Sequence, residues 1–257
     1  MPTPDYLKYN CFMTSLKIKL CGKNIHATVL YKSTVDFCSD YLSDFDTSDI
    51  SIELSPFDIV NEQKKFDRER ELEGLPIYSV PSEELETLAL YRKIAERLID
   101  YNIILFHGSC ISVDGEAYLF TAKSGTGKST HTRLWRERFG DRAVMVNDDK
   151  PLIEINDGRV TVYGTPWNGK HRLGNNICVP LKAICILDRA SENRIKEVAS
   201  LSEFPKIISQ TYRTDDASFM KKTLALVDSK LNAVKVYRLG CNMDLSAADV
   251  SYNGMKG

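Results

Sequence analysis

The stretch FTAKSGTGKSTHTRLW, residues 120–135, constrains this chain more than any other segment. A polyphosphate is held by backbone N–H groups that converge from a glycine-rich turn at the positive end of a helix, with a lysine on the outer phosphates and a hydroxyl on magnesium. Ser124, Gly125, Thr126, Gly127, Lys128 and Ser129, with Thr130 next in line, supply those parts in order and are the expected nucleotide-binding residues. Gly125 and Gly127 tolerate the backbone angles of such a turn, Lys128 brings the charge, and Ser129 the metal-facing hydroxyl. Ala122 stands where the usual pattern has its first glycine; it only opens the turn, and alanine suits that place at negative φ. The apolar run Ala117–Thr121 after the Asp114-Gly115 turn predicts a strand entering the loop. Residues 129–139 lack Gly and Pro, carry Leu134, Trp135 and Phe139 at near-helical spacing and stop at Gly140, which predicts a helix leaving it.

Three further segments carry chemistry. RAVMVNDDK, residues 142–150, reads as a strand over 143–146 that ends on Asp148 and Asp149, 20 residues after Lys128. A carboxylate there holds magnesium directly or through water, and a second one takes a proton from an attacking hydroxyl; the alternative is a solvated Asp-Asp-Lys-Pro turn. GTPWNGKHRLGNN, residues 164–176, reads as an irregular loop whose Lys170 and Arg172 suit the charge on a transferring phosphoryl group, or else as a plain exposed loop. His107-Gly108 stands just before SCISVDG, within a predicted run of paired strands over 103–120 whose ends lie near the nucleotide, so His107 is a site residue or else a structural one, packed or on the surface. His131 is expected to be a packing or solvent residue.

In the order His107-Gly108, Ser124 to Ser129, Asp148-Asp149, the sequence from about 103 to 188 resembles the HPr kinase/phosphorylase family, whose nucleotide-binding core is shared with phosphoenolpyruvate carboxykinase. The resemblance implies ATP and Mg2+ as cofactors, His107 in the active site, Lys128 and Ser129 on nucleotide and metal, one aspartate as the base that activates an acceptor hydroxyl, and an oligomer. Ala122, Lys123 and Thr130 stand where the family has Gly, Asp and Glu, and the family's later glycine-rich carrier-binding segment is not found. The GTPWNGK loop and residues 236–252 are similar to a divergent branch of HPr-kinase-like proteins, which points to a peptide or small-molecule acceptor. Carboxykinase activity is not expected, since those enzymes are about twice as long.

At 257 residues the chain buries a substantial core. The balance of 34 basic against 35 acidic residues, net −1, with a pI near 6.4, leaves no nucleic-acid footprint. No apolar run reaches the roughly 18 residues of a membrane helix, and MPTPDYLKYN lacks a basic-plus-apolar signal, so a cytoplasmic location without membrane contact is expected. Seven cysteines, at 11, 21, 38, 110, 178, 185 and 241, never form a CxxC pair and read as free thiols.

Residues 15–31 predict a hairpin, 50–55 a strand, and the charge run 61–74 a solvated surface or mobile link. Ser82 to Asp100 predicts a helix. Beyond 180, strands are predicted at 181–188 and 232–239, and helices at 201–210, 215–231 and 244–253. The expected fold is α/β, with a phosphoenolpyruvate carboxykinase-like P-loop core of mixed sheets and flanking helices over residues 81–257 and a β-rich lobe over 1–80. Two functions stay open: a kinase that transfers the γ-phosphoryl of ATP to a hydroxyl of a protein, peptide or small molecule, and a nucleotide-sensing or slowly hydrolysing partner protein.

Overall fold

A computed structural model describes residues 13–72, 74–231 and 233–257. The opening segment and Cys11 lie outside the described residues, as do Glu73 in the charge run and Asn232, the expected first residue of a strand. The chain is mixed α/β and divides into two compact units, Met1–Arg97 and Leu98–Gly257; the sequence led to an expected boundary at 80/81.

In the first unit β1 (Thr14–Leu20) and β2 (Lys23–Val29) pair antiparallel around Cys21 and Gly22, whose φ values of 50° and 72° suit a two-residue hairpin turn. After α1 (Lys32–Phe37), β3 (Ile50–Glu53) adds parallel to β2. Residues 61–72, expected as solvated surface or mobile link, are the mostly exposed or half-buried body of α2 (Pro56–Leu72), so the surface holds and the link does not. Its Glu, Gln, Lys and Arg are strong helix formers, and Gln63–Asp67 is an (i, i+4) pair. Its apolar stripe is too faint to announce a helix. The next helix, α3 (Ser82–Leu98), buries Glu86, which accepts from the Leu30 and Tyr31 amides and the Thr34 hydroxyl. Burial pushes that carboxyl above its ordinary range despite these bonds.

The second unit is built on β4 (Ile103–Leu105), β5 (Ser109–Val113), β6 (Glu116–Thr121), α4 (Lys128–Phe139), β7 (Ala143–Asn147), β8 (Leu152–Asn156), β9 (Arg159–Tyr163), β10 (Cys178–Arg189), β11 (Arg194–Val198), α5 (Ser200–Gln210), α6 (Ala217–Leu231), β12 (Lys235–Cys241) and α7 (Ser246–Met255). Its sheet runs β4-β8-β9-β10-β6-β5-β7, with β12 on β10 and β11 on β12. The long β10 joins two pairings: its first residues lie antiparallel to β9, its later ones parallel to β6 and β12. The hairpin β8–β9, which turns at Asp157-Gly158, was not read from the sequence.

Period-two alternation divides the strands between two cores. Cys110, Leu119, Val146, Ile184 and Ile186 face one, with Ile207 of α5 and Phe219 and Val227 of α6. Ile111, Tyr118, Phe120, Met145, Ala183 and Cys185 face the other, with Leu134 and Trp135 of α4 and Met255 of α7. Helices cover both faces, which is why these strands read as unbroken apolar runs.

This topology sets the site. Strands β6, β10 and β12 run parallel, β5 runs against β6, and β7 runs against β5. The C-terminal ends of β6, β7 and β10 and the N-terminal end of β5 therefore meet at one edge of the sheet. Among the described residues no helix is long and apolar enough to cross a membrane, and no disulfide joins two of the six described cysteines.

Candidate functional site

The loop after β6 turns into α4 through Gly125 and Gly127, whose φ values of 73° and 122° disfavour any side chain. Gly127 caps α4, so the helix's free N–H groups open toward the loop. Ala122 is buried, while Ser124 and Gly125 are exposed at the tip and Ser129 and Thr130 lie in the first helical turn. Arg189, at the end of β10, donates to the carbonyls of Gly125 (2.5 Å) and Thr126 (3.3 Å). Within the loop the Thr126 amide donates to the Lys123 carbonyl at 3.2 Å, so Arg189 and this bond together fix the turn.

Lys128 donates to the Ala122 carbonyl at 3.3 Å and is half-buried. Burial lowers its pKa, Asp149 and Asp148 oppose that shift, and Lys150 adds to it. The ammonium thus stands beside the aspartate pair that ends β7.

The two aspartates are held differently. Asp148 is 5% exposed, and its Oδ1 accepts from the Ser109 hydroxyl at 2.5 Å. That hydroxyl, its proton committed, accepts in turn from Thr132 of α4 at 2.9 Å. Asp149 is more open: its carboxylate lies 3.5 Å from His107 Nε2 and 3.4 Å from Lys150 Nζ. Buried Asn147 fixes the turn between them, its Oδ1 accepting from the amides of Asp149 (2.8 Å) and Lys150 (2.7 Å). The pair is a hydrogen-bonded corner facing the loop.

His107 sits at the entrance to β5. Its amide donates to the Gln210 carbonyl at 2.7 Å, and its carbonyl accepts from Thr121 Oγ1 at 3.1 Å. Burial lowers the imidazole pKa to about 4, aided by Lys150 and Lys128 and opposed by Asp149, so the ring is neutral at pH 7.

The segment 164–176 is irregular, as its glycines predict, and is stitched to the corner: Asn147 Nδ2 donates to Thr165 Oγ1 (3.0 Å), which donates to the Lys150 carbonyl (2.8 Å). A Cβ on Gly169 would stand 3.1 Å from Asp148 Oδ2. Lys170 and Arg172, one and three residues on, have exposed side chains at the rim. His131 is a packing residue, 2% exposed between Phe120 and Trp135.

Sequence reading thus named Lys128, His107, Asp148 and Asp149, which the fold brings together. It missed Ser109, Thr132, Lys150, Arg189 and Gln210. Lys150 adjoins the pair and Arg189 ends an apolar strand, a position known to face a site in parallel sheets; nothing local marked the others.

Among the described residues no three His, Cys, Asp or Glu side chains converge to hold a metal ion by themselves. Mg2+ asks for less, since one or two carboxylates, waters and phosphate oxygens satisfy it. The all-oxygen donors Ser129, Asp148 and Asp149 fit that chemistry.

No protein-family model matches the chain, and no curated protein matches it in sequence. Among solved structures it is similar to the Hpr(Ser) kinase/phosphatase from Coxiella burnetii, with 11% identity and a TM-score of 0.34, over 60% of this chain and 99% of that one. A likeness this slight transfers neither fold nor activity.

Proposed function

We propose that this chain is a kinase that moves the γ-phosphoryl group of ATP to an acceptor hydroxyl, built on a phosphate-loop core of the HPr-kinase kind. One observation carries the reading: Lys128, the adjacent pair Asp148 and Asp149, and His107, from three separate segments, converge at a glycine loop and helix N-terminus. A turn that merely reverses the chain has no use for that set.

In this reading the amides of residues 125–129 and the Lys128 ammonium bind the phosphates. Ser129 and Asp148 would hold Mg2+, which when bound draws charge from the phosphate oxygens. Asp149, the more open carboxylate, orients the acceptor hydroxyl and takes its proton as the new O–P bond forms and the bond to the leaving ADP oxygen breaks. His107, 3.5 Å from Asp149, lines the acceptor side of that carboxylate, and Lys170 and Arg172 offset charge from the rim. The exposure of those two cations is what favours the second reading, a nucleotide sensor or slow ATPase.

The test is calorimetry of Mg-ATP on the wild type and Lys128→Ala, together with transfer of label from γ-labelled ATP. Losing a charge-assisted contact weakens binding by about ten- to a hundred-fold. Equal affinity in the two proteins sinks the phosphate-loop reading; ATP binding with release of phosphate and no labelled acceptor selects the sensor.

A further inference from the structure

The loop has a second flank, opposite β5 and β7. A cleft of about 410 Å3 lies between the loop's entry arm (Thr121 to Lys123), the end of β10 (Ile186 to Asp188) and one side of α5 (Lys206, Ser209 and Gln210). Two of its residues reach the corner. Thr121 donates to the His107 carbonyl, and Gln210 accepts from the His107 amide through its own carbonyl. The Gln210 side chain also stands close enough to the imidazole to favour its protonated form, yet its buried Oε1 completes no hydrogen bond. One wall of the cleft is therefore bonded to the residue that stands 3.5 Å from Asp149.

The lining has a definite chemistry. Ala122, Ile186 and Leu187 are buried and apolar, while Thr121, Ser209 and Gln210 offer neutral hydrogen-bonding groups. Asp188 is answered by Arg238 at 3.4 Å, and Glu203 by Lys206 at 3.6 Å and Arg238 at 3.5 Å. Lys123 is exposed and makes no ion pair among the described residues. Of the charged residues that line the cleft, Lys123 and Lys206 outnumber Asp188 by one, and the Arg238–Glu203 pair behind them is balanced, so the cleft favours an anion. Small-molecule sites run from about 300 to 1,000 Å3, mostly apolar with a few placed polar groups. This one lies at the small end, where a whole small molecule fits but no folded segment does.

Resting on the kinase reading above, we infer that this cleft is the acceptor subsite and that the acceptor is a small hydroxyl compound bearing a carboxylate. Lys206 and Lys123 take the acid group, and the hydroxyl lies toward the Gln210–His107 wall and Asp149. The acceptor oxygen bonds to the γ-phosphorus, the bond to the β,γ-bridging oxygen breaks, ADP leaves, and the hydroxyl proton passes to Asp149. The cleft sets which alcohol is phosphorylated; the corner performs the transfer.

The experiment uses the full chain with Mg-ATP and two matched panels: glycolate, glycerate and malate against ethylene glycol and glycerol. Mg-ATP affinity is measured by calorimetry, ADP release by a coupled assay, and the phosphoester by 31P NMR. A hydroxy acid is expected to raise ADP release at least about ten-fold over the rate without acceptor and to appear as its phosphoester, while the alcohols do neither. Lys206→Met should raise KM for that acid by about ten-fold or more, the worth of one charge-assisted contact, with kcat little changed and with recovery in Lys206→Arg. The assignment is overturned if Mg-ATP binds but no acid stimulates, if the alcohols serve as well, or if Lys206→Met keeps the wild-type KM. Failure to bind Mg-ATP overturns the kinase reading and this assignment with it, so the two failures are told apart.

Discussion

Helix α4 separates two regions that use their side chains in opposite ways. At its start Lys128 stands among Asp148, Asp149, Lys150 and His107 at a partly open corner. On its flank His131, Trp135 and Phe139 pack with Phe120 and Tyr252 in a dry aromatic block. The Trp135 indole N–H there is shared between Ser251 Oγ at 2.8 Å and His131 Nε2 at 3.2 Å. Each region holds a histidine of pKa about 4, but the causes differ: burial alone acts on His131, whereas burial is joined by two lysine charges at His107. The same ionisation state arises in a packed aromatic block in one place and, in the kinase reading, beside the proposed base in the other, and the difference lies in which groups face the ring.

If the comparison is right, activity and stability separate by region. Asp149→Asn should lower the transfer rate on the order of 10³-fold, the middle of the range for a general base, and leave the unfolding midpoint close to wild type because the carboxylate is partly solvated. Trp135→Ala should do the reverse. Removing a fully buried tryptophan costs about 3–5 kcal/mol, enough to unfold much of the protein at moderate urea. Kinetics and urea denaturation of both variants check this; a strongly destabilised Asp149→Asn erases the distinction.

The next effect is acid sensitivity. His131 binds its proton near 6.5 when unfolded but only at about 4 when folded. Between those values the unfolded chain holds the extra proton, so stability is complete above pH 6.5 and falls as pH drops toward 4. Over the whole window the loss is on the order of 3 kcal/mol. His131→Phe keeps an aromatic ring in the block and removes the titration, so its stability should fall less steeply from pH 6.5 to 5. His107 titrates over the same window and leaves a residual slope. Urea curves at pH 7, 6 and 5 decide it, and an unchanged slope would mean that His131 is not held neutral.

What the sequence disclosed tracks how local the physics is. The loop was legible because Gly125, Gly127, Lys128 and Ser129 are neighbours whose chemistry is written in their order. Asp148 and Asp149 were legible because the apolar strand that stops at them follows the phosphate loop by one helix, which lifts them above an ordinary solvated Asp-Asp-Lys-Pro turn. Ser109 and Gln210 were not, since a serine in a strand and a glutamine ending a helix look ordinary until the sheet places them against Asp148 and His107. Helix α2 was missed because its charges hide the apolar stripe by which helices announce themselves, and β8–β9 because its alternation is short. The expected loop over 164–176 was found, but the sequence could not tell that Lys170 and Arg172 would lie at its exposed rim.

A third measurement sharpens the contrast between the histidines. Lys150→Met removes one of the two charges that lower the His107 pKa, so that pKa should rise toward 6.5 while His131 stays near 4. Proton NMR titration of the ring C–H signals resolves both in one sample. Movement of both rings, or of neither, breaks the assignment of different causes.

The smallest expected effect concerns Lys170 and Arg172, which belong to neither region. A cation enclosed in a dry site is worth about 10²-fold or more in rate, but these two are exposed, where water screens much of their charge. Lys170→Met and Arg172→Met should therefore each lower kcat by roughly ten-fold and leave the Kd of Mg-ATP nearly unchanged, the mark of a contact made chiefly in the transition state. Salt separates this from a general loss of structure: the wild-type kcat should fall as ionic strength rises, and that dependence should flatten in both variants. A loss of 10²-fold or more would mean that the loop folds over the corner during turnover, so that Gly169 carries the cations against Asp148 and the rim joins the enclosed site. No loss in either variant would return the loop to a plain connection and leave Lys128 and Lys150 as the cations that serve the phosphoryl group.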